Sequence, residues 1–116
     1  MSASPLTIAI ASKALDGLSM RMAALANNLA NAHAPRYQAV TVDFEGALRS
    51  AAAKGADAVD ALSIPFRAGQ AYGPLDDRRV DLLVADASRT AGRYSALVEL
   101  LHERMALEHA AMGEQA

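Results

Sequence analysis

Glu99, Leu100, Leu101 and His102 form a Glu-x-x-His spacing. On a helix, this spacing projects a carboxylate and an imidazole from one face, as in bundles that hold a pair of iron ions. A working centre needs a second such pair and further inward carboxylates, and between Pro5 and Ala34 the only acid is Asp16. His102, Glu103, Glu108 and His109 therefore read more simply as an edge facing solvent or another subunit. Ser, His and Asp all occur, but no nucleophile elbow or glycine-rich phosphate cradle frames them. His33, two residues before Pro35, reads as a helix-terminal group beside the last carbonyls. No cysteine is present, which removes disulfides, thiol nucleophiles and thiolate metal sites. No catalytic, cofactor or metal residue is assigned, and the chain is expected not to be an enzyme.

Eleven basic against thirteen acidic residues in 116 leave a net charge of −2. That balance offers no basic face for nucleic acid. Tryptophan is absent and the aromatics are Tyr37, Phe44, Phe66, Tyr72 and Tyr94, so alanine-rich helices must pack closely on each other or on neighbouring subunits. The N-terminal stretch lacks a basic n-region and its apolar run, Leu6 to Ala11, is broken by Thr7; it reads as a mature N-terminus. No apolar run approaches the ~18 residues of a membrane span, so lipid insertion is not expected.

Pro5 suits the first turn of a helix, with Ser4 as its N-cap. Ile8, Ala11, Leu15, Leu18, Met22, Leu25, Leu29 and Ala32 then recur at steps of three and four, a coiled-coil-type seam. Gly17 interrupts good helix formers, so packing must compensate for it or a close approach must require it. Pro35 ends the helix near Asn31 to His33. From Val80 to about Met112 the same rhythm returns through Val84, Ala87, Ala91, Tyr94, Val98, Leu101, Met105 and Met112, with Leu83, Leu97 and Leu100 widening the stripe toward a second neighbour. Arg89 with Arg93, and Glu99 with Glu103, are like-charged i,i+4 pairs that make sense beside opposite charge from another subunit.

Between these helices, Tyr37 to Phe44 alternates as an extended arm, too short for a sheet alone. Asp43 is positioned to cap a short helix running to about Ala53. Residues 55–79, with Gly55, Gly69, Gly73, Pro65 and Pro74, read as a flexible loop in which Ile64, Pro65 and Phe66 form a small docking point. Three asparagines crowd the end of the first helix. Capping accounts for one of Asn27, Asn28 and Asn31; Asn28 and Asn31 flank the seam, where their amides can instead bond to another helix and set its register.

Asn28, Leu29, Ala30, Asn31, Pro35 and Tyr37, followed by Asp43, Phe44, Glu45 and Leu48, resemble the motif of the flagellar basal-body rod proteins, most closely its short proximal members. Val80, Asp81, Leu82 and the run from Tyr94 to Met105 are similar to the C-terminal helix of that family. Residues 55–77 are unmatched, and Ala34, Arg36, Arg78, Arg79 and Ala85 depart from the family pattern. The resemblance implies a non-enzymatic subunit exported through the flagellar type III apparatus without a cleaved signal peptide. It implies a place in the periplasm-spanning rod, beside other rod proteins, the adaptor protein FliE, the membrane ring and the export gate.

The expected architecture is all-α: an N-terminal helix over 1–34, an arm and short helix over 35–54, a loop over 55–79 and a C-terminal helix over 80–116. The two long helices should pair antiparallel, with Ile8, Leu15, Leu18, Met22, Leu25, Leu29, Tyr94, Val98, Leu101 and Met105 in the seam. A compact dimeric adaptor or type III secretion chaperone is the rival expectation.

Overall fold

The computed structural model describes residues 4–115. In chain order it contains α1 (Pro5–Ala30), β1 (Gln38–Thr41), α2 (Glu45–Ala52), α3 (Ala56–Ala61), β2 (Arg67–Tyr72) and α4 (Asp77–Gln115). The molecule is mostly helical, as expected, but it is not all-α. The arm finds a partner: β1 pairs antiparallel with β2, setting Val40 opposite Ala68 and Thr41 opposite Arg67, with a register irregularity between Gln38 and Val40. Residues 55–79 thus supply a strand and the short helix α3 rather than a structureless loop. The strand was hidden in the sequence because Gly69 and the flanking prolines mask its short alternation.

Local signals account for the boundaries. Ser4 Oγ accepts the Thr7 amide at 3.1 Å and Pro5 fills the first helical position, so α1 starts where its cap dictates. Gly55, at φ 116°, adopts a backbone that other residues avoid, and there the chain passes from α2 to α3. Lys13 reaches across from α1 to the Asp60 and Leu62 carbonyls at 3.3 and 2.9 Å, placing a cation at the C-terminal end of α3. Asp43 does not cap α2. Phe44 holds the N-cap position with no side-chain capping bond, since a phenyl ring carries no acceptor, and its ring is committed to the core.

That core lies between α1 and the arm–α2–α3 segment. Leu18, Val42, Phe44, Leu48, Ala51 and Val59 are buried in it, and Tyr94 and Leu97 of α4 pack against its edge. The expected seam on α1 is only partly enclosed. Ala11 and Leu18 are buried and Leu15, Met22 and Leu25 half-buried, whereas Ile8 and Leu29 stay exposed. On α4, Tyr94, Val98 and Leu101 are half-buried and Met105 is exposed.

The Leu75 amide donates to the Ala32 carbonyl at 2.6 Å, which sets the beginning of α4 beside the end of α1. The long helices run in opposite directions from that point. At ~1.5 Å per residue, the 39 residues of α4 outreach the 26 of α1 by roughly 20 Å, so its last turns project past the start of α1. The molecule is accordingly elongated, 63 × 26 × 15 Å.

Gly17 shows why its position excludes a side chain. A Cβ there would lie 2.6 Å from two carbons of the Phe44 ring. In an exposed helix, Gly→Ala gains up to about 1 kcal/mol, but overpacking a core costs roughly 1–3 kcal/mol. Gly17→Ala is therefore expected to lower the melting temperature, read by circular dichroism; a rise would contradict the contact.

Candidate functional site

Three residues of α1 hold the arm, and they lie on one stripe. Gly17, Arg21 and Asn28 stand at i, i+4 and i+11 and meet Phe44, Val42 and Val40 in reverse order. Asn28 is 3% exposed and its amide is used on both sides. Its Nδ2 donates to the Val40 carbonyl at 2.7 Å, while Oδ1 accepts the Val40 amide at 2.8 Å and the Tyr37 hydroxyl at 3.1 Å. One side chain thereby presents to the strand the donor and acceptor of a neighbouring backbone.

The expected register bond from Asn28 to another helix is corrected by this geometry. Its carbonyl oxygen already takes two hydrogen bonds within the chain, and the group is enclosed. Asn31 is also local: its Nδ2 donates to the Asn27 carbonyl at 2.8 Å, and the residue is the C-cap of α1. Pro35 follows in the turn, exposed, and the Tyr37 carbonyl accepts the Gly73 amide at 2.8 Å. The motif residues Asn28, Pro35 and Tyr37 thus form the joint between helix and arm, Phe44 plugs the core below it, and Leu29, Ala30 and Asp43 face solvent.

Arg21 locks the lower part of the arm. Its Nε and Nη2 donate to the Val42 carbonyl at 3.1 and 2.9 Å, its guanidinium forms a two-point pair with Glu45, and it stands 4.9 Å from the Phe44 ring centroid. The planar fork permits all three at once. The hydrogen bonds from Arg21 hold the Glu45 carboxyl at about 2, against the burial that raises it. The same bond raises the Arg21 pKa above its ordinary value. Hydrophobic periodicity could not reveal this stripe, because Gly, Arg and Asn score as interruptions; the signal was their shared i, i+4, i+11 spacing.

The surface has a second character. Leu100, level with the start of α1, and Met105, Leu107 and Met112, on the projecting part of α4, are 57, 62, 65 and 66% exposed. Leu82 and Val84 near its start, and Phe66 just before β2, are exposed as well, while Ile64 packs against the core. Grooves flank α1: one of about 400 Å³ lies between Leu25, Val40, Leu83 and Arg93, and another of about 570 Å³ is lined by Ala23, Ala26, Ala30 and Phe66. Glu99 and His102 lie on exposed helix, and among the described residues no three His, Asp or Glu gather as metal ligands. Nor is any helix among them long and apolar enough to cross a membrane. No protein-family model matches the chain, and no curated protein matches it.

Asn28→Ala would leave the Val40 amide and carbonyl without partners, at about 1–3 kcal/mol for each group left buried, whereas Tyr37→Phe removes one bond worth roughly 0.5–1.5 kcal/mol. Denaturant unfolding should rank the two in that order, with faster amide exchange at Val40 in Asn28→Ala alone. For Glu45, the folded pKa lies below the ordinary 4.5, so its stabilisation is present above that pH and fades as pH falls toward 2. Because the Glu45 side chain is 47% exposed, screening keeps the effect modest. Glu45→Gln should remove this part of the acid dependence, and an unchanged stability–pH profile between 4.5 and 2 would contradict the pairing.

Proposed function

We propose that the chain is a structural subunit of the proximal rod of the bacterial flagellar basal body, built into a tubular shaft that transmits torque. The observation that carries this reading is the unequal length of the two terminal helices. The part of α4 that runs past α1 leaves Met105, Leu107 and Met112 exposed. Large apolar side chains left uncovered in this way support association with another subunit. Covering each large side chain contributes roughly 1.5–3 kcal/mol, available only when another subunit arrives.

The motif residues support the same reading. Asn28, Pro35, Tyr37 and Phe44, on which the resemblance to rod proteins rests, build the joint that fixes the arm to α1. In this role the pair of long helices acts as a coiled-coil-like seam completed by neighbours. The partners are other rod proteins, FliE, and the membrane ring and export gate, reached by type III export.

Substituting Met105→Asp and Leu107→Asp together changes only exposed positions. The purified chain should melt like its parent, while a strain carrying it should fail to build rods and to swim. Normal swimming with the variant rod subunit as the sole copy would sink the proposal. Leu25→Asp is less informative, because Leu25 is half-buried and its loss disturbs the fold itself.

A further inference from the structure

Arg89 with Arg93, and Glu99 with Glu103, set like charges four residues apart on α4, a spacing that disfavours the isolated helix. All four are exposed. Arg89 reaches Asp86 at 2.9 Å, but among the described residues the other three have no ion pair. The two pairs share a separation: 89 to 99 and 93 to 103 are each ten residues, roughly 15 Å of helical rise.

Ten residues also turn the helix about 80° short of three full turns, at 3.6 residues per turn. The arginines therefore run along one edge of the exposed surface of α4, beside the α1 grooves that Arg93 lines, and the glutamates along a second edge about 80° further round. Parallel neighbours bring opposite edges together; antiparallel neighbours bring like edges together. The edge arrangement selects the parallel case.

We propose that this face is an interface between copies of this chain, with α4 helices parallel and displaced by ten residues. Arg89 and Arg93 of one copy then meet Glu99 and Glu103 of the next. The same offset sets exposed Leu82 level with Gly92 of the next copy and Leu100 level with Ala110, each leucine against a small residue. A Cβ built on Gly92 meets nothing within the chain, so that space is open to a neighbour. Leucine burial supplies affinity and the charges select register. Each copy offers its arginines to one neighbour and its glutamates to another, so the contact does not close and an array can grow from it.

This inference rests on the self-assembly part of the rod proposal, and cysteine pairing tests it in purified protein. The chain has no cysteine, so Arg89→Cys chains can be mixed with Glu99→Cys chains, and Arg93→Cys with Glu103→Cys, and oxidised after circular dichroism shows a parent-like fold. Both mixtures should form intermolecular disulfides, and adding Arg93→Glu should abolish the 89–99 product. Dominant 89–93 and 99–103 products from the corresponding mixtures would instead describe antiparallel neighbours meeting by like edges and overturn the proposal. So would the absence of all four products. The read-out is independent of motility. Expected disulfides with normal swimming of the Met105→Asp, Leu107→Asp strain reject the rod and retain the interface; wrong disulfides with lost swimming do the reverse.

Discussion

The arrangement of the chain turns on one buried amide. A strand lying against a helix has backbone groups that the helix cannot satisfy, since the helix has spent its own on itself. Asn28 resolves the conflict by offering Val40 both a donor and an acceptor. From that fixed point the arm descends along α1: Val42 is held by Arg21, Phe44 lies against Gly17, and α2 begins at Glu45 with its carboxylate on the same arginine. The position of α2, and through it the buried Leu48 and Ala51, follows from bonds made two and three turns away.

The division between what was legible in the sequence and what was not follows from the physics of each signal. Ser4, Pro5 and Pro35 act locally, so the extent of α1 was readable to within a few residues. The three-four rhythm marked both long helices, although α4 begins at Asp77, earlier than the first apolar residue of its stripe. The sheet was not legible, because β1 is stable only with β2 as its partner, and pairing across that distance leaves no periodic trace in so short a segment. The internal clamp was misjudged for a related reason. Polar residues flanking an apolar seam look like contacts to a neighbour until the fold shows a strand already there.

Two faces of α1 are therefore used for different ends. The leucine line, through Leu15, Met22 and Leu25, is left half-covered, while the adjacent line of Gly17, Arg21, Ala24 and Asn28 is enclosed by the arm. The small and polar face secures the subunit, and the large apolar face remains partly available. That division suits the proposed role, in which partly covered apolar side chains are completed by a neighbour.

The bond between Asn28 and Val40 also settles the fate of a strand edge. Val40 turns its amide and carbonyl away from β2 and toward α1, where an unguarded ribbon would accept a foreign strand. The asparagine occupies that place as a single-residue substitute strand. Apolar side chains of α4 thus stay exposed beside a ribbon edge that is closed to strand addition. One side chain thereby separates two routes of association, leaving helices free for the proposed assembly while that edge accepts no strand.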